Sequence, residues 1–189
     1  LFIENCASGG ARFDLGMLCY GSAIWTSDCS DPIERIPIIE GTSMLYPLSA
    51  CGTSVSTSPN YATFRSTDLE TRFAVALFGV LNYAIDIMKF SDREKAAVKD
   101  QVEFYRQYRQ ILQFGIFRKE VRGNITVWSA ATPDRSVILV LYVQTLMRSN
   151  CEDDILTVSQ ADENFVYRVV RRDDQAPVWD IGSDVSKYK

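Results

Sequence analysis

The 189-residue chain contains no histidine. That absence removes Ser-His-Asp triads, HExxH metal sites and any imidazole general base from what the chain itself can supply. Proton transfer is left to carboxylates, Lys, Tyr or Cys. Cysteine is scarce and odd in number: Cys6, Cys19, Cys29, Cys51 and Cys151 show no CxxC spacing. No metal site is therefore expected, and free thiols in a reducing, cytoplasmic compartment are the natural reading. Positive charge is lacking too. The net charge of -4 leaves no excess of basic side chains to neutralise phosphates, which argues against a nucleic-acid partner. The longest apolar runs, such as Val137–Val143, are far too short to span a bilayer, so no membrane association is expected. No basic segment precedes the apolar residues 1–3, so no secretory leader is read. The chain opens on Leu rather than Met, and it is expected to be a fragment whose N-terminal part is missing.

What is present is the composition of a folded globular protein. Hydrophobic residues make up 47% and charged residues 23%, a balance that excludes disorder. Up to about residue 114, short apolar runs alternate with helical patterns. Leu1–Ile3 reads as a strand ending in the Cys6–Gly10 loop, and Ala11–Leu18 as a short helix. Ala23–Thr26 reads as a second strand, and Asp31-Pro32 opens a helix that Gly41 closes, since Asp followed by Pro at the first helical position is a start signal. Ser43–Leu48 reads as a third strand, followed by a polar loop from Ser49 to Ser66; a loop that long is usually functional. Thr67-Asp68-Leu69-Glu70 and Ser91-Asp92-Arg93-Glu94 have the spacing of capping boxes. The first opens a helix to about Leu77, and the second opens the longest helix, to about Gln113. Val98, Val102, Tyr105 and Leu112 fall on one face of that helix. Val80–Ile85 between them reads as a fourth strand.

Four strand–helix pairs in succession imply parallel strands with right-handed crossovers. After Gly115 the texture changes. Ile116–Val121, Ile125–Ala130, Val137–Gln144 and Phe165–Val170 lack helical spacing and are separated by turn residues, the pattern of a small antiparallel β domain. The expected division is therefore an α/β domain over 1–114 and a β domain over 115–189.

Two stretches concentrate the chemistry. Glu4-Asn5-Cys6-Ala7-Ser8-Gly9-Gly10 follows an apolar run, and its glycines would let backbone approach a ligand closely. Ile24-Trp25-Thr26-Ser27-Asp28 places a carboxylate beside an aromatic platform, at a strand end, where catalytic groups collect in repeated βα units. Plainer readings stand beside these. Asp28 alone could be a solvated loop carboxylate, Gly9-Gly10 a turn, and a lone cysteine a packing residue. Asp31, directly before Pro32, is read as structural, Asp68 as a helix-start residue, and Trp128 and Trp179 as core or edge residues of the β domain. Asp86 is a weaker strand-end candidate.

The segments ENCASGGARFDLGML and IWTSDCSDPIER, followed in order by TSMLYPLSACGTSVSTSPN, TDLETR and Phe114-Gly115, closely resemble the retaining α-galactosidases of glycoside hydrolase family 36. The resemblance covers most of residues 2–117. It implies that the first domain is the second half of a (β/α)8 TIM barrel, strands five to eight, and that the second is a small antiparallel β-sandwich. It also implies hydrolysis of terminal α-linked galactose from oligosaccharides such as melibiose or raffinose, without metal or organic cofactor. By the same resemblance Asp28 is the general acid/base and Cys6 and Gly9 lie against the galactose ring. Trp25 shapes the pocket and Arg12 organises the Cys6–Gly9 loop. The family's nucleophile sits in a Lys-Trp-Asp motif that this sequence does not contain, so the chain is expected to be inactive alone. A homo-oligomer, a tetramer by family resemblance, is expected. Cys29, Thr53-Ser54 and Tyr61 depart from the family pattern, the first from Asn and the others from histidines. A non-catalytic carbohydrate-binding or assembly fragment, a galactosyl transferase and an α-N-acetylgalactosaminidase stay open as alternatives.

Overall fold

The computed structural model describes residues 3–6, 14–146, 149, 156–172 and 177–181. The chain divides into two compact units, Leu1–Gly115 and Ile116–Lys189.

The first unit is built on a four-stranded parallel sheet of β1 (Glu4–Cys6), β2 (Ala23–Trp25), β3 (Cys51–Val55) and β4 (Val80–Tyr83), in sequential order. Helix α1 (Pro32–Thr42) links β2 to β3, α2 (Leu69–Ala76) links β3 to β4, and α3 (Asp92–Phe114) follows β4. Every residue of β3 is buried, as parallel strands covered on both faces require. Ile24, Tyr46 and Cys51 form a buried cluster with Leu18 packed against it. Burial pushes the Cys51 thiol up to about 11.

The sequence places β1 at Leu1–Ile3, of which residues 1 and 2 lie outside the described residues; the described strand is Glu4–Cys6, which pairs residue for residue with Ala23–Trp25. Cys6 is thus the last strand residue rather than part of the loop. The expected helix at Ala11–Leu18 is a 3₁₀ turn, Leu15–Cys19, capped by the Asp14 carboxylate on the Met17 N–H at 3.1 Å; residues 11–13 lie outside the described residues. The larger correction concerns the third strand. Gly41 does not close α1. The chain leaves that helix through turns joining the Ser43 N–H to the Ile39 carbonyl and the Tyr46 N–H to the Thr42 carbonyl, so Ser43–Tyr46 cannot be extended.

The true third strand lies in the small, polar stretch read as loop. The neighbouring strand comes so close that a Cβ on Gly52 would stand 3.0 Å from the Ile24 carbonyl oxygen. The buried Thr53 hydroxyl donates to the Ala76 carbonyl at 2.6 Å, so its burial leaves no unmade hydrogen bond.

Helix α2 is capped by Asp68, not Thr67: the carboxylate accepts the Thr71 N–H at 2.6 Å and its hydroxyl at 2.9 Å. Asp86 caps the 3₁₀ turn Ile87–Lys89 and pairs with Lys89, a local role that accounts for it. The second capping box forms as read, with the Ser91 N–H donating to Glu94 at 2.8 Å and the Glu94 N–H donating back at 3.3 Å. Val98 and Leu112 of α3 are buried, and Val102 and Tyr105 half-buried. Polar contacts fix the helix in place. The Tyr105 hydroxyl donates to the Gly79 carbonyl at 2.7 Å, and buried Gln101 accepts from Tyr83 at 3.0 Å and donates to Glu70 at 2.9 Å.

The second unit holds an antiparallel three-stranded sheet of β5 (Ile116–Arg122), β6 (Ile125–Ala131) and β7 (Ile138–Gln144), and a two-stranded ribbon of β8 (Tyr167–Val170) and β9 (Pro177–Ile181). Gly123 takes a positive φ of 63° in the β5–β6 turn, a conformation that glycine adopts without steric cost. Trp128 is fully buried, with Phe117 edge-on at 6.1 Å between ring centroids.

Gly79 gives a direct test of how tightly α2, β3 and β4 are joined. A Cβ there would lie 2.6 Å from the Cys51 carbonyl oxygen and 2.7 Å from Thr53 Cγ2. Gly79→Ala is expected to destabilise the first unit by about 1–3 kcal/mol, measured by urea unfolding; an unchanged midpoint would mean that β3 and β4 are looser than described.

Candidate active site

The parallel register aligns Cys6, Trp25 and Gly52 as neighbours across β1, β2 and β3. Cys6 and Trp25 end their strands side by side, at the C-terminal edge where α/β sheets bind ligands. Cys6 is exposed and Trp25 half-buried. Gly9 and Arg12 lie outside the described residues. Asp28 stands three residues beyond β2, exposed, and its Oδ1 accepts the Trp25 indole N–H at 3.2 Å. The structure therefore brings together Cys6, Trp25 and, through the indole, Asp28.

The Asp28 loop is held from both sides. On its own side the Thr26 hydroxyl donates to the Gly52 carbonyl at 3.2 Å, and the Ser27 hydroxyl accepts the Cys29 N–H at 3.1 Å. At its far end Asp31 is fully buried and caps α1, accepting the N–H groups of Ile33 at 2.9 Å and Glu34 at 3.2 Å. From the other side comes the β3–α2 connection. Its Tyr61 hydroxyl donates to the Asp28 carbonyl, and buried Asn60 donates to Ser30 Oγ at 3.1 Å. Thr63 donates to Asp31 Oδ2 at 2.5 Å, and Arg65 pairs with Asp31 and reaches Glu34 at 3.5 Å. For Asp31, burial works to raise the pKa, but it is outweighed by the Thr63 hydroxyl, the two backbone donors and Arg65, which together hold the carboxyl below its ordinary 3.8.

Arg35 completes the frame. It is buried on α1, with Nη1 donating to the Ser27 carbonyl at 2.9 Å and Nη2 to the Gly52 carbonyl at 2.8 Å. Its guanidinium lies 4.9 Å from the centre of the Trp25 ring. Burial draws its pKa down to about 10, which leaves it charged at neutral pH. No motif in the sequence marks Arg35. The available signal was its position on the helix face of Pro32, Ile36 and Ile39, which are buried with it. Asn60, Thr63 and Arg65 reach the Asp28 loop through partners about thirty residues away in sequence, and no local pattern marks those contacts.

Chemically, the arrangement offers an exposed carboxylate with one oxygen engaged by an indole, beside an aromatic ring and a strand-end thiol. Among the described residues no group of three His, Cys, Asp or Glu could hold a metal ion, and no helix is long and apolar enough to cross a membrane.

A parallel α/β unit with a carboxylate beyond a strand end is common to many enzyme classes, and comparison with known proteins selects among them. The family model described as Melibiase matches residues 1–115, and the chain belongs to this family, glycoside hydrolase family 36. It is 40% identical over 172 residues to the α-galactosidase AgaA of Geobacillus stearothermophilus, covering 89% of this chain and 24% of that protein. It is also 40% identical over 144 residues to α-galactosidase 1 of Pediococcus pentosaceus, covering 75% and 20%. The crystal structure of AgaA superposes with a TM-score of 0.89 at 37% identity, covering 98% of this chain and 25% of that one. An AgaA variant in complex with raffinose gives 0.85 at 39% identity, covering 89% and 24%. The chain spans a fifth to a quarter of the length of these relatives.

The stability carried by Asp31 depends on pH in a defined direction. A carboxylate whose pKa is depressed by folding stabilises the protein above its unfolded value, and that contribution is lost as pH falls through the folded one. Thermal stability is expected to fall as pH drops below about 4. Asp31→Ala should remove about 1–2 kcal/mol as a lost helix cap and flatten that acid-side loss, both read from melting curves between neutral pH and pH 3.

Proposed function

We propose that this chain carries the acid/base portion of a retaining α-galactosidase that removes terminal α-linked galactose from oligosaccharides such as melibiose and raffinose. The observation that carries the reading is the Asp28 carboxylate held by the Trp25 indole at the ends of parallel strands, within a family whose solved members include complexes with raffinose and stachyose. Residues 1–114 then form the second half of a (β/α)8 barrel and residues 115–189 a C-terminal β-sandwich. The outer strands of the described parallel sheet are β1 and β4, the edges at which further barrel strands would pair.

Asp28 protonates the departing glycosidic oxygen while a second carboxylate attacks the anomeric carbon and forms a covalent galactosyl intermediate. Asp28, now ionised, takes a proton from the water that releases galactose. Double displacement of this kind needs the two carboxyl groups roughly 5 Å apart. The Lys-Trp-Asp motif that would bring the nucleophile is not in this sequence, so the nucleophile comes from a segment outside it. Cys6 and Gly9 pack against the galactose ring, Trp25 walls the pocket, and Arg12 organises the Cys6–Gly9 loop. The chemistry requires no metal or organic cofactor. The free thiols of Cys6, Cys19, Cys29 and Cys51 support a cytoplasmic enzyme, and the family resemblance supports a homo-oligomer.

Two assays test this reading. The 189-residue chain alone should not turn over an aryl α-galactoside, and robust turnover would refute the need for an outside nucleophile. In the enzyme carrying the remaining barrel, Asp28→Ala should lower kcat/KM on raffinose by about 10²–10⁴ and largely spare an aryl galactoside with an activated leaving group. Equal losses on both substrates would remove Asp28 from the acid's role.

A further inference from the structure

Burying a guanidinium is costly unless its charge and donors are matched, yet among the described residues Arg35 makes no ion pair with a carboxylate. If its task were only to pack α1 on the sheet, an apolar side chain like those of Ile36 and Ile39 would serve. Its donors instead go to two backbone carbonyls that flank one residue. Gly52 is the register partner of Trp25 on the next strand, and Ser27 lies two residues beyond Trp25.

This planar fork holds a cation 4.9 Å from the centre of the Trp25 ring, a geometry that a flexible ammonium would not reproduce. Gly52 bounds the same ring, since a Cβ there would stand 3.3 Å from Trp25 Cε3. With guanidinium and glycine both against the ring, the indole has little freedom to turn. Its N–H is then fixed on Asp28 Oδ1 at 3.2 Å, while the Ser27 contact fixes the backbone next to Asp28. Cys29, Cys51, Glu4 and Tyr61 are the other ionisable groups near the guanidinium; none of them donates to or accepts from the Asp28 carboxylate among the described contacts.

We propose that Arg35 is a positioning residue for the acid, setting the direction of the Asp28 carboxylate through the Trp25 indole and the Ser27 carbonyl. The proposal rests on the reading of Asp28 as acid/base. Its consequence is selective. A misdirected acid slows cleavage of substrates whose leaving group needs a proton, and hardly affects those whose leaving group departs unaided. A purely structural arginine would affect both alike.

The test measures kcat/KM of Arg35→Lys, in the enzyme carrying the whole barrel, on raffinose and on 2,4-dinitrophenyl α-galactoside. The expected result is a loss of about 10- to 100-fold on raffinose with a change of no more than about threefold on the dinitrophenyl substrate. Equal losses on both, or no loss on raffinose, would overturn the role of Arg35 while leaving the α-galactosidase reading intact. A wild type inactive on both substrates would overturn that reading, and this proposal with it. Should Arg35→Lys fail to fold, Arg35→Gln keeps a planar N–H donor for the carbonyls and removes the cation from the Trp25 ring. The same selective loss is expected from it, and wild-type behaviour on raffinose would break the proposed linkage.

Discussion

The buried carboxylate of Asp31 is the contact on which the rest of the site depends. One side chain caps α1, receives Thr63 and pairs with Arg65. It therefore joins a helix start to a connection more than thirty residues later. A buried charge persists only when hydrogen bonds and counter-charge match it, and Asp31 has both. The loop from Trp25 to Asp31 is consequently fixed at each end: by β2 in the sheet and by this carboxylate at α1. Asp28 lies between two anchored points, on a loop with little room to wander.

That arrangement divides labour between two aspartates three residues apart. Asp31 is buried and held ionised by its surroundings, which suits a group that must not exchange protons. Asp28 is exposed, and among the described residues its carboxylate takes one side-chain hydrogen bond, from Trp25, which suits one that must. The first is structural and the second, on the proposed reading, catalytic. Arg35 and Tyr61 fasten the backbone on either side of Asp28, so the chain is held around the residue whose direction, on the proposed reading, matters for proton transfer.

Legibility in the sequence followed the range of the interaction. The Ser91–Glu94 capping box, the Asp31-Pro32 start and the antiparallel strands from Ile116 to Gln144 were readable because each depends on residues a few positions apart. Strand β3 was misplaced for the opposite reason. Ser43–Leu48 has the apolar content of a strand, but the turns following α1 take it, while Cys51–Val55 is small and polar because neighbouring strands and Ala76 crowd it. The capping box read at Thr67 does not form: the helix starts one residue later, where the Asp68 carboxylate takes both donors of Thr71.

By itself, then, the sequence determined the class of the protein, its βα alternation, the change to antiparallel strands after Gly115 and the identity of the candidate residues Cys6, Trp25 and Asp28. Local propensity and motif order are written in adjacent residues. Tertiary structure alone decided that Cys6, Trp25 and Gly52 stand side by side, that Asn60, Thr63 and Arg65 clamp the Asp28 loop, and that a buried arginine lies against the indole. Register and burial are properties of segments brought together by folding, so no window of neighbouring residues contains them.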